Sequence, residues 1–396
     1  MKGKLKKFCC LSDEDILMIV LAFMSFSIGI WTNYRQLWLQ DYGFNVSQIS
    51  RILSVGLICS GVIAFIISMV STKIKVKSVV MESIIFRSIA LCILLINPGT
   101  YITKTCVLLC IMCEVIFSIS YYPLLTYVNK SDSAFRKKGL IDYLARDAGV
   151  ITCGLLIGVT LGNKVFDYNS CLFISLISCL LSGIFLILYN KENIYNKEKP
   201  RSLKRAFKSL FSSKTNRVFI IHQVVTNISF GMLYDLMMLI LTGYIKFDVS
   251  FASVFIIVCN LVGSIACSIF NRYGKKLSVT MSAVIKYGTR GLSYIVAFFT
   301  NNVVFFVISI IIGYVTSRIL DNKLSGTFLR RINSGNQFLF GNFRYLAISV
   351  GEGIGAFLAG ILLNISLRTL FLVSGIITLL QVVQVWHMDY LRVHKK

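Results

Sequence analysis

Along this chain, apolar stretches of about twenty residues alternate with short polar or charged connectors. About twenty residues of helix cross a hydrocarbon core of roughly 30 Å, and a helix satisfies its own backbone hydrogen bonds in lipid. The pattern predicts helices over 15–38, 48–71, 78–97, 105–128, 143–162, 170–189, 218–242, 250–270, 278–299, 302–320, 339–363 and 368–387. The fold class expected is an all-α membrane protein of twelve transmembrane helices.

Composition agrees with lipid as the solvent: 56% of the 396 residues are hydrophobic, 15% are charged, and only 3 are proline. The net charge of +24 raises the question of nucleic acid. The basic residues are scattered between apolar spans, however, and no zinc-finger or RNA-binding signature accompanies them, so no nucleic-acid partner is expected. Of the 12 cysteines, all but Cys9 and Cys10 fall within predicted helices, where free Cys behaves as a small hydrophobe. Cys9 and Cys10 are possible acylation sites beside the first helix. The basic stretch Met1–Lys7 precedes an apolar segment too long for a cleavable signal, so this segment is expected to remain as helix 1.

The basic connectors set an orientation. With the N-terminus in the cytoplasm, the inside collects Lys2, Lys4, Lys6, Lys7, Lys73, Lys75, Lys77, Arg136, Lys137, Lys138, the basic residues from Lys191 to Arg217, and Arg272, Lys275, Lys276, Arg330 and Arg331. Only Lys104, Lys164, Lys246 and Arg368 fall outside. Both termini are therefore expected on the cytoplasmic side of the cytoplasmic membrane.

The chain also repeats itself. A shift of 198 residues places Arg146 on Arg344, Gly162 on Gly360 and Phe173 on Phe371, and a shift of 203 places Lys73 on Lys276 and Arg87 on Arg290. Three segments follow: an N-terminal six-helix half over 1–189, a basic cytoplasmic linker over 190–217, and a C-terminal six-helix half over 218–396. Within the linker, Leu203, Ala206, Phe207, Leu210 and Phe211 recur at helical spacing beside Lys204, Arg205 and Lys208. That pattern fits a helix lying on anionic lipid, with a solvated linker as the alternative.

Twelve spans, duplicated halves and a basic central loop together resemble the major facilitator superfamily. The family's basic loop after helix 8 corresponds to Asn271-Arg272-Tyr273-Gly274-Lys275-Lys276, with Asn271 at the usually acidic position. The loop after helix 2, Ser71 to Lys77, keeps only the basic character. The resemblance implies alternating access around a central cavity, with Arg272 in a gating loop. It also implies that helices 5 and 11 pack against helices 8 and 2 through the glycine faces Gly154, Gly158, Gly162 and Gly351, Gly355, Gly360.

Charges deep in lipid cost roughly 2.5–3.5 kcal/mol each, so they are candidates for function. Glu114 shares a helix-4 face with Cys110, Ser118 and Tyr121 and is a candidate to gain and lose a proton; a structural pair with a basic residue is the alternative. Ser27, Trp31, Tyr34, Arg35 and Trp38 form a stripe on helix 1, where Arg35 and the rings suit an anionic or aromatic substrate group. Gln223, Asn227 and Tyr234 offer hydrogen bonds along helix 7, with Asp235 beside them as a partner for Arg35. Glu352 interrupts the glycine face of helix 11, and with Asp235 it joins the coupling candidates. Arg87 and Arg290 are repeat mates expected to anchor the scaffold. Arg146, with Asp142 and Asp147, and Arg344 begin helices 5 and 11 and suit a cytoplasmic gate of ion pairs.

No G-x-x-x-x-G-K-[ST] cradle or H-E-x-x-H pair occurs in the sequence, so neither ATP-driven pumping nor metal-dependent hydrolysis is supported. The expected activity is secondary transport of a small organic solute, proton-coupled, by a monomer with no cofactor, no enzymatic step, and membrane lipids as its surroundings. The alternative is a membrane protein of the same fold acting as a non-transporting sensor or accessory partner.

Overall fold

The computed structural model describes residues 12–70, 75–96, 99–128, 132–160, 167–189, 211, 214–273, 277–300, 302–319 and 337–393. The linker helix apart from Phe211, and Cys9, Cys10 and Gly162, lie outside the described residues.

Twelve helical segments follow one another: α1 Asp13–Asp41, α2 Val46–Val70, α3 Val76–Leu95, α4 Thr100–Val128, α5 Asp132–Thr160, α6 Tyr168–Leu188, α7 from Lys214–Leu233, α8 Val249–Tyr273, α9 from Val279–Ala283, α10 Val303–Arg318, α11 Gln337–Ile365 and α12 Leu367–Val393. Among the described residues, nine helices are long and apolar enough to cross a membrane, and the apolar part of α10, Val303–Ser317, is shorter. Rows such as Ile85, Phe86 and Ile89 on α3, and Val254, Val258, Leu261 and Ile265 on α8, are exposed and face the lipid. The chain is a multi-pass membrane protein.

Two segments are less regular than the hydrophobic runs predict. α7 stops at Leu233, turns through Tyr234, Asp235 and Leu236, and resumes as Met237–Leu239 and a π-turn at Ile240–Tyr244. α9 passes through a π-turn at Val284–Gly288 before continuing as Thr289–Phe299. Single π-turns inside α-helices concentrate at functional positions.

Polar side chains set several helix starts. Ser12 and Asp15 form a reciprocal cap on α1, Asp167 accepts from the Ser170 amide ahead of α6 at 2.9 Å, and Ser366 accepts from the Thr369 amide ahead of α12 at 3.1 Å. After α1 the chain turns at Gly43, whose φ of 96° lies in the left-handed region that glycine adopts without steric cost.

Contacts divide the chain into two units. The first holds Met1–Phe44, Val62–Pro200 and Asp248–Ser253; the second holds Asn45–Gly61, Arg201–Phe247 and Val254–Lys396. Within the first, α1 packs on α5 and α6, and α3 on α4 and α6. Within the second, α7 packs on α11 and α12, and α9 on α10 and α12, which is the same plan one half-chain later.

Glycines carry the closest crossings, because backbones without Cβ atoms approach further. A Cβ at Gly29 would run into the Arg146 backbone of α5, and one at Gly231 into the Glu352 backbone of α11. The glycine faces divide their partners. Gly154 meets Ser253 of α8, and Ser250 donates to its carbonyl at 2.8 Å. Gly360 meets Ser50 of α2, while Gly351 and Gly355 instead receive α7 at Val224 and Ile228. The expectation that all three α11 glycines serve α2 is thus corrected: Gly353, which the spacing did not single out, packs against Ser54 and Ile58.

Candidate functional site

In the first unit, three helices bring a carboxylate between two guanidiniums. Antiparallel α3 and α4 place Arg87 Nη1 2.5 Å from Glu114 Oε1. From α1, Arg35 Nη1 stands 3.8 Å from Glu114 Oε2, and the Thr32 hydroxyl donates to the same oxygen at 3.5 Å. Arg87 is wholly buried and also donates to the Ser27 carbonyl at 3.3 Å. The two arginines are held differently. Arg87 makes a short charge-assisted bond of the strong kind, whereas Arg35 has only the long contact; the Nε of each is buried without a partner. One helical turn before it, the buried Trp31 Nε1 also lacks an acceptor. Two buried donors a turn apart on α1 therefore lack acceptors beside an ionisable carboxylate.

The rest of the α1 stripe is committed to packing. Ser27 bonds Ser175 of α6, Tyr34 donates to the Val150 carbonyl at 2.8 Å, and Trp38 donates to Asn169 at 2.9 Å. Tyr121 is buried, with its hydroxyl donating to the Leu17 carbonyl and its ring stacked on Phe117. Within the first unit, the carboxylate beside Arg35 is Glu114. Midway along α5, rather than at its start as expected, Arg146 Nε donates to Asp142 at 2.9 Å, Ser25 donates to the same oxygen at 2.6 Å, and Asp147 is half-buried next to them.

In the second unit, Gln223 accepts from Arg344 Nε at 3.3 Å, joining α7 to α11. Asn227 donates back to the Gln223 carbonyl at 2.6 Å. The Tyr234 ring stacks on Phe230 and meets Tyr314 of α10 edge-on at 4.8 Å. Asp235 sits in the α7 break, one turn beyond Gly231, which packs against the Glu352 backbone. Arg290 of α9 is buried, with its guanidinium 5.5 Å from the centre of the Tyr234 ring and 5.6 Å from that of Tyr294. Lys286, in the α9 π-turn, donates to the Ser317 carbonyl at 2.9 Å. His222 lies between Tyr287, at 3.4 Å, and Gln384, at 3.3 Å, a polar cluster that sequence reasoning did not pick out. The side chain of Arg272 lies outside the described residues, and no metal-holding cluster of His, Cys, Asp or Glu occurs among the described residues.

Solved structures share this fold at low sequence identity. The nucleoside transporter NupG aligns over 96% of this chain and 99% of its own, with a TM-score of 0.69 and 14% identity. A POT family transporter in complex with a thioalcohol-conjugated peptide aligns over 95% and 96%, with a TM-score of 0.73 and 11% identity. No curated protein sequence matches the chain. The family comparison is broader, because residues 16–331 match the profile of the Major Facilitator Superfamily. The all-helical fold and a match over most of the length lead to one assignment: the chain belongs to the Major Facilitator Superfamily of membrane transporters.

Proposed function

We propose that the protein is a proton-coupled secondary transporter of a small organic solute, working by alternating access as a monomer in the cytoplasmic membrane with both termini inside. The observation that carries this reading is the unequal triad Arg87–Glu114–Arg35. Arg87 anchors Glu114, and Arg35 is loosely tied to it beside the unpartnered Trp31 Nε1. A proton on Glu114 removes the charge that draws Arg35, leaving the guanidinium and Trp31 to take an acceptor group of the solute. Loss of the proton restores the pair and expels the group. In the second unit, Gln223, Asn227 and Tyr234 are the substrate-binding candidates, whereas Tyr121, committed to the Leu17 carbonyl and the Phe117 ring, serves packing in the first.

Asp235, in the α7 break, and Glu352, whose backbone meets Gly231 one turn earlier on α7, are the second coupling candidates. Arg146 and Asp147 in the first unit, and Arg272 and Arg344 in the second, are the gating candidates. The charge pattern of the connectors supports the orientation. That structures of this fold include a nucleoside transporter and a peptide-bound transporter is a reason to test organic solutes before inorganic ions.

The test is uptake of labelled organic solutes into proteoliposomes under an imposed pH gradient. At least one solute should accumulate with the gradient, and Glu114→Gln should lower its rate by about tenfold or more. Uptake indifferent to both gradient and substitution would remove proton coupling. Absence of any solute flux, with a membrane partner co-purifying, would favour the sensor.

A further inference from the structure

Among the described residues, the second unit holds a buried cation with no carboxylate paired to it. Arg290 is 2% exposed. Its Nε donates to the Tyr294 hydroxyl at 3.2 Å and its Nη2 to the Ser229 hydroxyl at 3.5 Å. Its remaining contacts are the faces of Tyr234 and Tyr294, so among the described residues it has no acidic partner and Nη1 has no acceptor. The repeat mate Arg87 has the same relation to a serine on the first helix of its unit, but ends on Glu114. α10 offers no carboxylate in return. It offers Tyr314 and Gly313, and the absence of a side chain at Gly313 lets the Tyr234 and Tyr294 hydroxyls end beside it.

Aromatic faces and two hydroxyls offset only part of the cost of desolvating a guanidinium, and a buried charge left unpaired is unfavourable. The fork geometry of Arg matches the two oxygens of a carboxylate or phosphonate. The α7 break at Tyr234–Leu236 lies alongside, and interrupted helices near the bilayer midplane are where transporter sites are built.

We infer that Arg290 is the anion receptor of the second unit, and that the solute is an organic anion whose carboxylate or phosphonate oxygens pair with the guanidinium while Tyr234, Tyr294 and Tyr314 flank its organic part. The inference rests on the transporter reading and narrows its substrate class.

The test uses the full chain in nanodiscs of zwitterionic lipid, so that no lipid headgroup supplies a net anion. Benzoate and phenylphosphonate are the probes; benzamide and benzylammonium are the neutral and cationic controls. Each is added at about 10 mM, which fills a site of about 1 mM Kd to roughly nine-tenths. Both anions should raise the Tm of the wild type by about 2 °C, the controls should not, and Arg290→Gln should abolish the response. Tyr294→Phe, which keeps the charge and the ring, should retain the response at reduced size, and it stands in if Arg290→Gln fails to fold.

An anion response lost in Arg35→Gln but kept in Arg290→Gln would overturn the inference, as would no anion-specific shift at all. A Tm rise with phosphatidylglycerol nanodiscs that needs Arg290 and blocks the benzoate response would assign the site to a lipid headgroup instead and overturn the substrate claim. Transport of a neutral or cationic solute that is indifferent to Arg290→Gln would also sink the inference, yet leave the transporter standing. Arg290-dependent anion binding without flux of any solute would instead sink the transporter.

Discussion

Arg87 and Arg290 hold matching places in the two halves, on α3 and α9, each buried and each reaching toward a serine on the first helix of its unit. Arg87 ends on a carboxylate 2.5 Å away, and Arg290 ends among tyrosines. Duplication preserved the position of the cation and the helix-packing plan around it, but not the source of the neutralising charge. Glu114 answers Arg87, whereas among the described residues no carboxylate answers Arg290. On the proposal made above, the same chemical group in the same architectural place takes two roles, scaffold in one half and anion receptor in the other.

The sharpest way to break this comparison is to neutralise each arginine in turn. Arg87→Gln leaves Glu114 in the membrane interior with only the 3.8 Å contact to Arg35, and removing one member of a buried pair costs roughly 3–5 kcal/mol. Arg290→Gln strands no carboxylate and should cost far less, so thermal unfolding of the two variants in the absence of ligand should separate clearly. Equal losses would mean that Arg290 has a protein counter-charge after all.

Next in size come the glycine crossings, where the halves should behave alike. Gly29→Ala and Gly231→Ala each push a methyl group into the backbone of the facing helix, and overpacking of this kind costs about 1–3 kcal/mol. Losses within the same range would support equivalent α1–α5 and α7–α11 contacts; a tolerated alanine on one side would show that its crossing is looser.

The smallest effect separates the halves again. α6 is capped by Asp167 and α12 by Ser366. Burial pushes the Asp167 carboxyl up, but hydrogen bonds from the Ser170 amide and hydroxyl and from Asn169 together outweigh it and hold the group below its ordinary value. A lowered folded-state pKa contributes stability that is complete above the unfolded value and is lost as pH falls through the folded one. Asp167→Ala should cost about 1 kcal/mol at neutral pH and less in acid, whereas Ser366→Ala should cost a similar amount at both. Unfolding curves at two pH values would check this.

Much of the fold was legible because lipid imposes a length on every apolar run, and basic connectors separate one run from the next. The start of α5 was misjudged for the same reason. Arg136, Lys137 and Lys138 end the apolar run, so the helix was predicted from 143, yet it begins at Asp132, since charged residues are good helix formers outside the hydrocarbon. The α7 break escaped notice because no proline marks it; only Asp235 hints at it, and an aspartate in an apolar run reads first as a functional charge. Glu114 and Arg35 could be picked out as rare intramembrane charges, and Arg87 as one half of a repeat. That Glu114 joins all three depends on how α1 meets the α3–α4 pair, which no spacing along one helix encodes. The cage around Arg290 was half visible: Tyr294 lies one turn away on α9, while Tyr234 arrives from α7 through packing alone.

The segment Asn45–Gly61 belongs by its contacts to the second unit, and its Ser47 accepts a hydrogen bond from Asn364, 317 residues downstream. A ribosome adding about 5–20 residues per second needs roughly 15–60 s to cover that distance. Throughout that time the serine and glycine face of α2 is already in the membrane while the helix that will cover it has not been made. The newborn first half must therefore wait in the bilayer with an open flank, and a chaperone or insertase that shields small-residue helix faces would find its substrate there.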